Sequence, residues 1–385
     1  MIPYGKQDIQ QADIDAVRDV LESDFLTQGP VIQRFEQAVA QKVGANHGLA
    51  TNSATSALHL ACLALGLGQG DWLWTTPITF VASANCGVYC GANIDFVDID
   101  PHTYNLSPAA LEKKLQIAEK ERRLPKVVVP VHLCGQSCDM EAIHALSQRY
   151  GFFIIEDASH AIGGHYKGEP VGCGRYSDIT VFSFHPVKII TTGEGGLAIT
   201  NNTDLAQHME RLRSHGITRD PNLMTHDPDG PWYYQQIELG FNYRMTELQA
   251  ALGLSQLDRL DAYVASRKER AEWYNHGLAS LPLTRPHQHP ASDSAWHLYV
   301  IRLNQELTPK RRQIFEGLRE AGIGVNLHYI PVHTQPYFQT MGFEEGQFPE
   351  AERYYAEAIS LPLFPTMEDT SHNHVVSTLK RLLSQ

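Results

Sequence analysis

The sequence predicts an α/β protein: a mainly parallel seven-stranded sheet with helices on both faces, plus a smaller α+β C-terminal domain. Two observations carry this. Through the first two-thirds of the chain, short apolar β-branched runs alternate with stretches of helical periodicity, the pattern of right-handed βαβ crossovers. The polar residues with chemical capacity fall at the ends of those runs, where open α/β sheets place their ligands. At 385 residues the chain exceeds one ordinary domain. Two are expected, a large one over 1–255 and a small one over 256–385.

The expected strands, in order, are His47–Asn52, Trp72–Thr76, Ile94–Asp98, Lys126–His132, Phe152–Asp157, Ile179–Phe184 and Gly196–Thr200. Most are short, apolar and β-branched, as strands buried on both faces should be. Thr55–Leu67, Pro108–Lys120 and Met140–Tyr150 carry helical patterns between them. Arg219–Gln236, rich in Asp, Pro and aromatic residues, reads as an active-site or interface loop. A long helical stretch, Thr246–Ser280, leads into the second region, where Trp296–Leu303 and Val325–Tyr329 read as strands and Pro309–Gly322 as a helix.

A formal net charge of −12 argues against nucleic acid and anionic membrane surfaces as partners. Arg211, Arg213, His215 and Arg219 form a local cluster of opposite sign, whose plainer reading is a solvated helix end. No apolar run is long enough to span a bilayer, and the first residues show no signal-peptide pattern, so a cytoplasmic protein is expected. The six cysteines include Cys86-x3-Cys90 and Cys134-x3-Cys138, not the x2 spacing of a zinc ribbon. Buried free thiols are expected and no metal.

Four features carry chemistry. Lys188 lies in Ser183-Phe-His-Pro-Val-Lys188-Ile-Ile-Thr-Thr-Gly-Glu-Gly-Gly196, a polar, glycine-rich bend after a buried strand. In a partly dry pocket such an amine loses its proton and attacks a carbonyl to form a Schiff base. A surface lysine in a loop is the alternative. Asn52-Ser-Ala-Thr-Ser56 joins a strand to a helix, and the free N–H groups of a helix start favour a phosphate. A plain Ser/Thr N-cap satisfies the same groups. Asp157 ends an apolar strand in Ile154-Ile-Glu-Asp157-Ala-Ser-His160. It can partner a protonated pyridine nitrogen or cap the following helix. Phe80 in Thr75-Thr-Pro-Ile-Thr-Phe80 can stack on a flat ring or sit in the core. Cradle, stacking face, carboxylate and lysine follow one another at successive strand ends, and together they match pyridoxal 5'-phosphate. Neither Gly-x4-Gly-Lys-[Ser/Thr] nor Gly-x-Gly-x-x-Gly is present, which speaks against an NTPase and a dinucleotide-dependent reductase.

With these residues the sequence resembles the sugar-nucleotide aminotransferases of the DegT/DnrJ/EryC1/StrS family, fold-type I pyridoxal phosphate enzymes. Leu26-Thr-Gln-Gly-Pro30, Asn52-Ser-Ala-Thr-Ser-Ala-Leu58, Glu156-Asp-Ala-Ser-His160, Gly193-Glu-Gly-Gly196, Ser214-His-Gly216 and Gly240-Phe-Asn-Tyr-Arg-Met245 carry the resemblance along almost the whole chain. It implies Lys188 as the catalytic, cofactor-bearing lysine, Asp157 as the partner of the pyridine nitrogen and Phe80 as the stacking residue. It implies phosphate contacts from Ala54, Thr55 and Ser183, and His160 near the ring hydroxyl. It implies Asn242 reaching the phosphate from a neighbouring subunit, hence a homodimer with shared active sites. His185, Arg213, Arg244 and His328 are candidates for substrate contacts. Relatives that act as dehydratases replace the lysine by histidine, so Lys188 argues against that subclass. Pro186 and Ile189 stand where relatives vary. Within the family the motifs most resemble the branch that aminates a UDP-linked 4-keto sugar with L-glutamate for pseudaminic acid. Ser-Leu-Pro-Leu-Phe-Pro365 and Trp-His-Leu298 also resemble the 4-amino-4-deoxy-L-arabinose branch.

Overall fold

The computed structural model describes residues 1–384. Its centre is a sheet of seven strands: β1 (His47–Thr51), β2 (Trp72–Thr75), β3 (Asn93–Phe96), β4 (Val127–Val129), β5 (Phe153–Asp157), β6 (Ile179–Ser183) and β7 (Gly196–Thr200). The order across the sheet is β1-β7-β6-β5-β4-β2-β3. β3, β2, β4, β5 and β6 pair in parallel, while β7 runs antiparallel to both β6 and β1. All seven expected strands are present. The fourth is much shorter than Lys126–His132 because Pro130 has no N–H to give the ladder. Its three valines are fully buried, so apolar content rather than alternation marked it.

Helices cover both faces: α1 (Gln11–Leu21), α2 (Pro30–Val43), α3 (Ala54–Ala64), α4 (Ala82–Tyr89), α5 (Pro108–Glu121), α6 (Met140–Tyr150), α7 (Thr203–Arg213) and α8 (Glu247–Leu257). The start of α2 is capped from a distance. Glu247, 1% exposed, accepts N–H bonds from Gly29, Val31 and Ile32 at 3.0, 2.7 and 3.2 Å. The expected helix Thr246–Ser280 is two helices, α8 and α9 (Leu260–Gly277). The break at Asp258–Arg259 sets the Arg259 guanidinium 2.6 Å from Asp13, a pairing outside the reach of helical periodicity.

The C-terminal region holds a three-stranded antiparallel sheet, β8 (Leu283–Thr284), β9 (Tyr299–Leu303) and β10 (Ala358–Leu361), in the order β8-β9-β10. The chain continues through α10 (Arg311–Glu320), the single turn α11 (Pro336–Gln339), α12 (Pro349–Glu357) and α13 (Asp369–Leu383). Tyr274, Leu318, Ile359 and Leu379 form the core of this region with their neighbours. The expected strand Val325–Tyr329 is not a strand. Only Asn326 pairs, with Ser360, and the following residues turn their polar side chains toward the crevice between the two regions. The third strand of this sheet is β10 instead. Residues 2–4 also dock here: Ile2 donates to the Gly322 carbonyl at 2.8 Å, and Leu363 donates to that of Tyr4 at 3.0 Å. In the other direction, Phe338 and Phe348 pack on Phe96 of the large sheet.

All six cysteines are free. Cys62, Cys86 and Cys138 are buried as expected, while Cys90, Cys134 and Cys173 are half-buried at loops and helix ends. No helix among the described residues is long and apolar enough to cross a membrane.

Candidate active site

A cavity of about 940 Å³ opens beyond the carboxyl ends of β1, β2, β5 and β6. Its far wall comes from Tyr4 and from the Asn326–Tyr329 segment.

One end presents the unpaired backbone donors of a helix start. Ser53 caps α3 by accepting the Ser56 N–H at 3.2 Å, and the Ala57 N–H returns to the Ser53 carbonyl at 3.1 Å. Ala54 and Thr55 supply the remaining free N–H groups of the first turn, and these have no acceptor among the described residues. They line the cavity together with Ser183. Gly196, the first residue of β7, runs directly beneath. A Cβ there would lie 2.5 Å from the Ala54 Cα and the Ser53 carbonyl carbon, so only glycine lets strand and helix start approach. Open donors on a helix N-terminus are an anion site.

The middle of the cavity presents a fixed carboxylate and an exposed aromatic face. Both oxygens of Asp157, 5% exposed, are fixed. Ser83 donates to Oδ2 at 2.6 Å and is itself 2.7 Å from the Thr79 hydroxyl. Ser159 donates to Oδ1 from its hydroxyl at 2.6 Å and from its backbone N–H at 3.1 Å. Phe80 is 59% exposed, unusual for a large aromatic, and the space it faces is the cavity. A flat ring would cover it.

Lys188 sits on a closed turn. Phe184 donates to the Gly195 carbonyl at 2.9 Å and accepts from the Thr192 N–H at 3.0 Å, holding the ends of the bend together. Gly193 takes its positive φ of 81° within it. Burial lowers the Lys188 amine to about 8, against an opposing pull from Asp157. The buried histidines His160 and His328 beside it are held neutral. Burial, Lys188 and His328 hold His160 well below the usual imidazole range. Its Nδ1 accepts the Cys134 N–H at 3.3 Å, leaving Nε2 to donate to the Tyr329 hydroxyl at 3.1 Å. Burial and Lys188 bring His328 down to about 3. Burial and Asp157 push Tyr329 up, so it keeps its proton.

The structure thus brings together Ala54, Thr55, Phe80, Asp157, His160, Ser183, His185, Lys188 and His328 around one cavity. Arg213 is a correction: its guanidinium binds Glu36 and the Ala50 carbonyl behind β1, so it is not free for substrate. Arg211 is likewise paired, with Glu238 at 2.9 Å. Asn242 and Arg244 lie on the segment beside β1, outside this chain's own cavity, and Asn242 is exposed. Among the lining residues Lys188 is the sole lysine or arginine. Tyr4, Thr79, Ser83, Ser159, His297, Asn326 and Tyr329 escaped the sequence reading. Only Ser159 had a signal, standing two residues after Asp157.

A donor cradle too tight for a Cβ, an exposed ring face, a fixed carboxylate and a lysine of lowered pKa fit pyridoxal 5'-phosphate part by part. Fold and site together are those of a pyridoxal-phosphate-dependent sugar aminotransferase. The chain belongs to the DegT/DnrJ/EryC1/StrS aminotransferase family, whose profile matches residues 7–380. It is 40% identical over 386 residues to the spore coat polysaccharide biosynthesis protein SpsC of Bacillus subtilis (strain 168), covering 99% of this chain and 97% of SpsC. Among solved structures, Helicobacter pylori PseC, an aminotransferase involved in the biosynthesis of pseudoaminic acid, superposes with a TM-score of 0.91 at 31% identity, covering 100% and 99% of the two chains. The putative sugar aminotransferase Spr1654 of Streptococcus pneumoniae, in its PMP-form, also reaches 0.91, at 30% identity over 100% and 99%. Its PLP-form has been solved as well.

Proposed function

We propose that this chain transfers the amino group of L-glutamate to C4 of a UDP-linked 4-keto-6-deoxy-N-acetylhexosamine. The product is UDP-4-amino-4,6-dideoxy-N-acetyl-β-L-altrosamine, for pseudaminic acid biosynthesis. The enzyme acts in the cytoplasm as a homodimer with shared active sites. The observation that carries this reading is the likeness to PseC along the entire chain, joined to a cavity that keeps Lys188 and Asp157 together.

Bound pyridoxal phosphate supplies the electron sink on which the carbanion chemistry depends. Asp157, with both oxygens fixed, holds a proton on the ring nitrogen by its charge. Ala54, Thr55 and Ser183 hold the phosphate, joined by the partner subunit's Asn242. Phe80 would stack on the ring and His160 would stand near its hydroxyl. The Nζ of Lys188, neutral for part of the time near pH 7, would take the proton from Cα of the amino donor and deliver it to the cofactor carbon that carried the aldehyde. His185 at the mouth and His328 on the far wall contact the sugar, with Arg244 meeting negative charge in the neighbouring site.

The test is product formation from L-glutamate and a panel of 4-keto and 3-keto sugars on UDP, GDP and dTDP, read by mass spectrometry. The expected product is the UDP-linked 4-amine. Turnover of a dTDP- or GDP-sugar alone, or amination at C3, overturns the substrate. A second reading, an amino sugar for another surface polysaccharide, is favoured by the higher identity to SpsC, 40% against 31% for PseC. The 4-amino-4-deoxy-L-arabinose and perosamine precursors therefore belong in the panel.

A further inference from the structure

The hydrogen bonds around His160 run in one direction. Cys134, at a positive φ of 61°, and Gly135, at 98°, make a tight turn in the loop after β4. A Cβ on Gly135 would lie 3.0 Å from the His160 carbonyl oxygen and 2.9 Å from the backbone nitrogens of Trp296 and His297, so the turn is pressed close against His160. It aims the Cys134 N–H at His160 Nδ1, 3.3 Å away. A backbone N–H only donates, so Nδ1 accepts and carries no proton. The ring proton is on Nε2, 3.1 Å from the Tyr329 hydroxyl. In the reverse sense, with Tyr329 donating to Nε2, a proton on Nδ1 would face the Cys134 N–H. Both nitrogens of His160 are therefore spent, and His297 packs on its ring at 4.4 Å.

Tyr329 is not spent. Its oxygen accepts from His160, and its own O–H has no acceptor among the described residues. The chain on either side is fixed. The Tyr354 hydroxyl donates to the His328 carbonyl at 2.7 Å, and the Val332 N–H donates to the Pro77 carbonyl at 2.8 Å. Tyr329 lines the cavity, its ring 6.2 Å from that of Phe80, whose face is offered to the flat cofactor.

We propose that Tyr329, and not His160, gives the hydrogen bond to the hydroxyl oxygen of the cofactor ring, and that His160 is a positioning residue acting through Tyr329. This deepens the function proposed above and rests on the ring placement given there. The electrostatics agree. Burial, with Lys188 and His328, keeps His160 to a single proton, and burial, with Asp157, keeps the Tyr329 proton in place to be donated. The consequence is a titration. The ring oxygen shares one proton with the Lys188 nitrogen once that residue holds the cofactor. A donor on the oxygen weakens its hold on that proton, which then leaves at lower pH. A hydrogen bond to a charged oxygen moves such a midpoint by about one to two pH units.

The visible absorbance of the holoenzyme, titrated with pH, reads this shift. Tyr329→Phe should raise the midpoint by about one to two pH units with cofactor still bound. His160→Gln should move it little further when added to Tyr329→Phe, because its effect passes through the hydroxyl already removed. An unmoved midpoint in Tyr329→Phe, or a His160→Gln shift that adds in full, overturns the proposal. In apoenzyme carrying isotopically labelled histidine, the nuclear magnetic resonance signal that His160→Gln removes should show a bare Nδ1 and a protonated Nε2 at neutral pH. A proton on Nδ1 overturns the proposal without any cofactor present. A wild-type enzyme with no visible band fails the function proposed above and this inference with it, whereas a normal band with an unmoved midpoint in Tyr329→Phe fails this inference alone.

Discussion

Lys188 and Asp157 hold opposite charges in one cavity, and burial decides how often the amine keeps its own. With its pKa brought down to about 8, Lys188 is about one-tenth neutral at pH 7, against under a thousandth for an exposed lysine. Capture of an aldehyde needs the neutral amine. The rate at which apoenzyme takes up pyridoxal phosphate should therefore rise with pH through about 8 and then level off. Stopped-flow absorbance checks this, and a midpoint near 10 contradicts it. Lys188→Ala should leave no borohydride-trapped cofactor. Ser83→Ala removes one of the three donors that fix Asp157. A hydrogen bond to a charged group is worth about 1.5–3 kcal/mol, so kcat should fall about tenfold or more while cofactor content persists. Unchanged kcat would show that the two Ser159 donors suffice. At this scale the sequence pointed to Lys188, Asp157, Phe80 and Thr55 from residue type and strand-end position, and the structure places all four on one cavity. Ser83 and Tyr329 stayed hidden because each acts through a contact with a residue far away in the chain, and no spacing records that.

The strand β7 is the element on which the cofactor end of the site depends. Running antiparallel, it returns from the Lys188 turn to pass under the start of α3, so the amine and the phosphate donors share one short connection. Gly196→Ala should push the α3 start outward and lower cofactor retention, measured as bound cofactor after gel filtration, with the fold intact by circular dichroism. Full retention would contradict the close approach. The seven sheet strands were legible because a strand covered on both faces is a bare apolar run. Val325–Tyr329 misled because the same composition serves a cavity wall. The break between α8 and α9 was invisible because the Asp13–Arg259 pair that accompanies it lies far outside a helical repeat.

At the scale of the whole molecule, the homodimer proposed above needs a surface to pair through. Trp232 and Leu239, on and beside the loop expected at Arg219–Gln236, are 71% and 77% exposed, and Tyr234 is 50% exposed. Exposed apolar side chains on one segment of chain suit the homodimer proposed above. Gel filtration with light scattering should give twice the chain mass of 43.1 kDa. The double variant Trp232→Ser and Leu239→Ser should move the protein toward monomer and lose activity with it. An active monomer would end the shared-site reading.

Asn242 lies exposed, beyond the cavity of the chain that carries it. Two inactive proteins, one lacking the Lys188 amine and the other altered at Asn242, should therefore rescue each other when unfolded and refolded together. With the shared sites proposed above, both lesions of each mixed pair would fall on one catalytic centre and leave the other whole.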